Sequence, residues 1–313
     1  MTHAIKIEHL TKTFGDLRAV DDVSLTVAKG EIFGLVGPDG AGKTTIMRLL
    51  AAVMDLTSGD AWVMGKPIVR DAEAIKAQIG YMSQRFGLYA DLTVEENIRF
   101  YADIYGVSRK ERERRMPELL AFSNLAPFKK RQAGKLSGGM KQKLGLACVL
   151  IRTPEVLFLD EPTNGVDPVS RRDFWRILYQ LLKEGITIFI STAYLDEAER
   201  CSRVALLHKG RLLACDTPDR VKTLMHGTIL EVRTLETRRV AALLKDRLPG
   251  ESVGLFGDRV HVVTRTPKAA EREVEQALRE AGISLIKLQT VEPTLEDVFV
   301  SVLSENERSR RGR

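Results

Sequence analysis

Cysteine is scarce in this sequence. Its 313 residues contain three, Cys148, Cys201 and Cys215, and none has a paired spacing suited to a metal. An odd number cannot close a disulfide framework, and free thiols point to a reducing compartment. Long apolar runs are missing as well. The longest uninterrupted one runs only from Leu146 to Ile151, whereas a membrane-spanning helix needs about 20 apolar residues, so the sequence is not expected to cross a bilayer. Met1 to Leu10 lacks the apolar stretch of a signal peptide. No segment of domain length repeats. Charge of one sign is in only mild excess: 48 Lys and Arg against 42 Asp and Glu give +6, part of it in Arg308, Arg310, Arg311 and Arg313. A solvated face with a loose basic tail explains that balance more simply than a nucleic-acid surface does.

What is present suits a globular chain with room for two domains, 44% apolar and 29% charged. Ile5 and Ile7, then Val23, Leu25 and Val27, alternate with polar residues as half-buried strands do. Glu31 to Val36, Val156 to Leu159 and Ile186 to Ser191 are more continuous apolar runs, as in strands buried on both faces. A glycine-rich turn, Gly37 to Gly42, follows the first of these and leads into a helical pattern on Ile46, Leu49, Leu50 and Val53. Residues 91 to 150 read mostly as helix, and Val204 to Ala214 as a hairpin around Lys209-Gly210. The alternation predicts an α/β domain over 1–220 with a largely parallel sheet. After a boundary at Pro218 to Gly227 the order becomes β-α-β-β-α-β over 228–303, the ferredoxin-like α+β arrangement. It closes with a helix from near Pro293 through Leu295, Val298, Phe299 and Val302, and residues 304–313 form a basic flexible tail.

Gly37-Pro38-Asp39-Gly40-Ala41-Gly42-Lys43-Thr44, followed by Thr45, fits the phosphate-loop pattern G-x-x-x-x-G-K-[ST] between strand and helix. Its glycines let successive amides turn toward phosphate oxygens, and the helix dipole adds to the attraction. Lys43 is placed to hold β- and γ-phosphates, and Thr44 to ligate Mg²⁺. The strand Val156 to Leu159 runs into Asp160-Glu161. Asp160 suits the Mg²⁺ shell, and Glu161 suits the base that orients the attacking water.

These motifs resemble those of ATP-binding cassette proteins. Leu136-Ser137-Gly138-Gly139-Met140-Lys141-Gln142 is similar to that family's signature sequence. Gln84, Asp167 and Phe14 match its Q-loop, its D-loop and the aromatic that stacks on adenine. Taken singly, Ser137 reads as a helix cap, Gln84 as a solvated loop residue and Phe14 as a small-core aromatic. The resemblance, over roughly residues 3 to 220, implies the P-loop fold with an antiparallel β subdomain and a helical subdomain. It also implies ATP and Mg²⁺ as ligands, with the Gln84 amide oxygen on Mg²⁺ or on the attacking water, so that Gln84 joins Glu161 and Lys43 in catalysis. Ser137, Gly138, Gly139 and Asp167 would face the nucleotide of a second protomer. Glu292 to Phe299 resembles the closing motif of daunorubicin-resistance exporters, whose permease is a separate membrane polypeptide. The resemblance thus implies a cytoplasmic ATPase, peripheral on the inner face of the cell membrane, that powers export through a permease. No nucleic acid is expected.

One departure matters. After Ser191-Thr192 the family pattern has a histidine contacting the γ-phosphate, and this sequence has Ala193, then Tyr194. Losing one preorganised donor costs on the order of 2.7–4 kcal/mol in the transition state. Weak turnover with retained binding is therefore expected at this chain's own site. In a homodimer both sites would be slow. In a heterodimer a partner with its own histidine would supply a faster one. Asp39, where the family often has asparagine, reads as a turn residue. Two other functions stay open: a soluble ATPase acting on ribosomes or DNA, and a regulatory subunit with vestigial hydrolysis. The single phosphate loop and the 94 residues from Lys43 to Ser137, free of sustained heptads, weigh against the ribosomal and DNA forms.

Overall fold

The computed structural model describes residues 3–225 and 227–301. The chain divides into two compact units, Met1–Pro218 and Asp219–Arg313. Val302 and the basic tail 304–313 lie outside the described residues.

The first unit is built on a six-stranded sheet. Ile32–Val36 lies between Thr187–Thr192 and Arg203–His208, and Val156–Asp160 and Ile79–Met82 extend it on the Thr187 side, all parallel. Arg211–Asp216 adds an antiparallel edge through the hairpin at Lys209-Gly210. The three central strands are buried at every position, which is why they read as continuous apolar runs rather than alternating ones. Phe33 and Phe189 stack across the Ile32–Val36 and Thr187–Thr192 pair at 5.4 Å.

A second, antiparallel sheet joins Leu17–Ala28, His3–Phe14, Ser58–Val63 and Lys66–Pro67. Ile5, Ile7, Val23 and Val27 from this sheet share one apolar core with Phe33, Phe158 and Phe189 of the parallel sheet and with Ile46, Leu49 and Leu50. The helix Lys43–Leu50 supplies the last three. It stops earlier than its apolar periodicity predicts. Ala52 turns left-handed at φ 52°, and Val53 is exposed. The helices Val94–Ile104, Arg109–Phe122 and Gly138–Leu150 form the helical segment. Among the described residues no helix is long and apolar enough to cross a membrane.

The second unit has a four-stranded antiparallel sheet in the order Ser252–Phe256, Arg259–Thr264, Thr228–Thr234, Leu285–Val291. The helices Thr237–Arg247 and Pro267–Glu280 pack Val240, Leu244, Val274 and Leu278 onto Leu230, Val232, Val260 and Val262. Alternate residues of the strands carry charge instead. Glu231 accepts hydrogen bonds at 2.9 Å from Arg233, Arg259 and Gln289. Residues 295–301 are helical. Thr294 and Asp297 cap each other reciprocally at the start of that turn. Asp297 is also bonded at 2.7 Å to buried His261, so the closing motif ties the last helix to the sheet.

Candidate functional site

The phosphate loop is pressed against both sheets. A Cβ on Gly37 would lie 2.2 Å from the carbonyl oxygen of Leu207. One on Gly42, at φ +104°, would lie 2.4 Å from that of Ala19. Only glycine fits either place. Between them Asp39 and Gly40 form the turn, Gly40 is left-handed, and Ala41 donates its amide to Pro38 at 3.1 Å. The helix Lys43–Leu50 then starts with no side-chain cap. Its first-turn amides, with Thr44 and Thr45, are the free positive end of a dipole.

Lys43 is buried, 4% exposed. Its ammonium donates to the carbonyls of Gly37 and Pro38 at 2.7 and 3.1 Å and pairs with Glu161 Oε1 at 2.9 Å. Glu161 follows the strand Val156–Asp160 directly and is itself buried. Its other oxygen accepts from the amide nitrogens of Gln84, at 2.8 Å, and Asn164, at 3.4 Å. Its backbone is left-handed at φ 47°, an uncommon conformation for a residue with a side chain.

Asp160 is 1% exposed. One carboxylate oxygen accepts from Thr44, at 3.1 Å, and Ser191, at 2.7 Å. The other is buried and has no hydrogen-bond partner among the described residues. A buried carboxylate oxygen left in that state is costly unless a cation meets it. Burial and the nearby Asp160 charge hold the Tyr81 phenol above its ordinary range.

Beside this cluster is a cavity of about 140 Å³ lined by Asp39, Glu161, Thr163, Asn164, Thr192, Ala193 and Tyr194. Asp39 therefore sits in a turn and also borders the site. A larger cavity, about 460 Å³, lies on the helical segment among Glu95, Arg99, Arg109, Arg112 and Glu113. Arg99–Glu95 and Arg109–Glu113 are paired there with each other, and none of the phosphate-loop or signature residues lines it.

Ser137 caps the helix Gly138–Leu150, accepting from Met140 at 3.3 Å. Gly139 abuts Ser170, and a Cβ there would come within 2.4 Å of that side chain. Asp167 caps the helix Pro168–Lys183, accepting from Val169 and Ser170. Phe14 is at the end of its strand, half exposed, with Lys12 5.1 Å from its ring centre.

Sequence reasoning missed three groups. Ser191 braces the strand end, donating to the Asp160 carboxylate and accepting from the backbone N–H of Glu161 at 2.9 Å. Asn164 braces Glu161. Glu197, 1% exposed, gathers Thr163, Thr192 and Arg171 at 2.7 to 3.0 Å behind the cavity. A serine at a strand end and a glutamate in an acidic short helix give no pattern by which to find them.

A phosphate loop, two carboxylates at a strand end and a capped signature helix on this pair of sheets are the parts of an ATP-binding cassette. Residues 20–164 match the family model described as "ABC transporter". The chain is 43% identical over 303 residues to the probable multidrug ABC transporter ATP-binding protein YbhF of Escherichia coli (strain K12). That alignment takes in 96% of the chain and 52% of YbhF, so the chain spans about half the length of that relative. It is 35% identical to the daunorubicin resistance ATP-binding protein DrrA2 of Streptomyces coeruleorubidus, over 95% of the chain and 94% of DrrA2. Among solved structures it is similar to the ATP-binding cassette MJ0796 in a dimeric post-hydrolysis state bound to ADP and Pi. That match has a TM-score of 0.62 and 25% identity, over 68% of the chain and 98% of that one. The chain belongs to the ATP-binding proteins of ABC transporters, in the drug-resistance group.

Proposed function

We propose that this chain binds Mg-ATP at its phosphate loop and hydrolyses it to energise export of a small, drug-like or lipid-like molecule through a separate membrane permease. The observation that carries the reading is the convergence on one site of Lys43, Glu161, Gln84, Asp160 and Thr44. The triphosphate lies along the amides of residues 37–45 with Lys43 on its β- and γ-phosphates, and Phe14 faces the base. Glu161, aimed by Gln84 and Asn164, takes a proton from water as that water attacks the γ-phosphorus, and ADP leaves.

The residues present fit Mg²⁺. Thr44, the unpartnered oxygen of Asp160 and, through its amide oxygen, Gln84 make a hard oxygen set. When bound, the ion neutralises charge on the phosphate oxygens.

Ser137, Gly138, Gly139 and Asp167 are assigned to the nucleotide of a second cassette, which the dimeric form of MJ0796 favours. ATP then joins two protomers, and hydrolysis parts them. The helical segment between Gln84 and Ser137 carries that motion to the permease, with the chain held on the inner face of the membrane. The names of YbhF and DrrA2 support a drug-like cargo.

Ala193 favours a second reading, in which this site binds nucleotide and hydrolyses it only slowly while a partner cassette turns over faster. Purifying the chain with its membrane partner and assaying ATP turnover of the complex tests both. Turnover stimulated by the permease supports the first reading. Nucleotide binding with turnover confined to a partner cassette supports the second. A chain recovered without any membrane protein, and indifferent to one, overturns the export reading.

A further inference from the structure

The side of the site where Ala193 stands offers no imidazole, yet it is not without donors. The seven residues around the 140 Å³ cavity include four with side-chain N–H or O–H groups: Thr163, Thr192, Asn164 and Tyr194. Both threonine hydroxyls are committed to Glu197, at 2.7 and 2.9 Å. That leaves the Asn164 amide and the Tyr194 hydroxyl. These two are joined: the Tyr194 hydroxyl donates to Asn164 Oδ1 at 3.4 Å, and Asn164 Nδ2 donates to Glu161 Oε2 at 3.4 Å. Resting on the proposed hydrolysis at this site, we propose that Tyr194, acting through Asn164, positions the Glu161 carboxylate and so does part of the work of the absent histidine.

The phenol is held for such a task. The Tyr194 amide donates to Thr192 Oγ1 at 2.9 Å, fixing the chain where it leaves the strand. The Arg171 guanidinium lies over the ring, 4.4 Å from its centre. Arg171 is itself anchored by Glu197 at 3.0 Å and by Asp196 at 3.2 Å. The ring therefore has a carboxylate-anchored cation on one face and a strand end at its base. Its hydroxyl keeps the Asn164 amide turned nitrogen-first to Glu161. Without the hydroxyl, the Asn164 oxygen loses its donor and the amide is free to turn. Turned over, it would present an acceptor to a carboxylate that needs a donor. Both contacts are long for hydrogen bonds, so they leave room to tighten when the reacting water is present. Tyr194 is a positioning residue in this scheme, since it reaches the chemistry only through Asn164.

The experiment compares the full-length chain, with its permease where turnover requires it, as wild type, Tyr194→Phe, Ala193→His and the double variant. Mg-ATP affinity is read by direct binding and turnover by phosphate release. Tyr194→Phe is expected to lower kcat about tenfold while KM and Kd stay within about twofold. The double variant is expected to recover at least wild-type kcat, which a merely structural defect would not allow. The relay is overturned if Tyr194→Phe turns over like wild type, if its loss appears in affinity rather than in kcat, or if the added histidine fails to rescue it. A wild-type chain that binds Mg-ATP and turns none over also overturns it. Lys43→Ala keeps the two readings apart: loss of binding there upholds the nucleotide site whatever Tyr194→Phe does.

Discussion

The ammonium of Lys43 stands 2.9 Å from the carboxylate of Glu161, and both are buried. The cation assigned to the phosphates and the base assigned to the water thus share one ion pair. Breaking a buried pair by removing one partner strands the other. Lys43→Ala should therefore abolish productive Mg-ATP binding and also lower thermal stability. Glu161→Gln should behave in the opposite sense toward ligand. It should lose 10²-fold or more in turnover, on the order of a general base's contribution, but bind Mg-ATP at least as tightly, because Lys43 is released to the phosphates. Equilibrium binding beside phosphate release checks both. Unchanged affinity in Lys43→Ala would refute the assignment.

The buried, unpartnered oxygen of Asp160 makes a prediction about metal. Asp160→Asn replaces an oxygen with an amide nitrogen at one of the two positions and removes the charge. Mg²⁺ should then add little to ATP affinity, so titrations with Mg²⁺ and with a chelator should converge. In the wild-type chain, chelation should weaken binding markedly. A variant that keeps the full Mg²⁺ effect would place the ion elsewhere.

Ala193→His addresses the missing donor. A full donor is worth roughly 10²–10³ in kcat. With Tyr194 and Asn164 already supplying part, the gain should be smaller, about tenfold. The adjoining 140 Å³ cavity gives an imidazole room. Phosphate release at saturating Mg-ATP is the measurement, and no gain would mean that the donor is not limiting.

The second unit should be acid-labile in a definite window. Burial alone would raise the Glu231 carboxyl, but hydrogen bonds from Arg233, Arg259 and Gln289 outweigh it and bring the group from its ordinary 4.5 down to about 2. Between those values the unfolded chain binds the proton and the folded one does not, so stability rises with pH there. The contribution is complete above about 4.5 and is lost as pH falls toward about 2. Asp297, held low against its own burial by His261 and Thr294, acts in the same direction. Thermal melts across that range should show the wild-type chain losing stability more steeply than Glu231→Gln. Parallel curves would rule out Glu231 as the source.

Much of this molecule was legible because the physics is local. The phosphate loop announces itself through Gly37 and Gly42, where no side chain fits, and the strands through apolar runs that burial on both faces requires. Periodicity failed at Val53, since Ala52 turns left-handed without a glycine to mark the place. The closing helix expected from near Pro293 is present over residues 295–301. Its Asp297 is also buried against His261, 36 residues away in sequence, which no local pattern announces. Ser191, Asn164 and Glu197 were illegible for the same reason. Their meaning lies in partners that only the folded sheet brings near.

The left-handed backbone of Glu161 has a consequence for the chain as a whole. Asparagine and glycine accept φ near 47° more readily than glutamate. Either one at this position should relax that backbone, but it also leaves buried Lys43 without its carboxylate and silences hydrolysis. Backbone ease and the ion pair thus compete for a single residue, and the sequence keeps the ion pair.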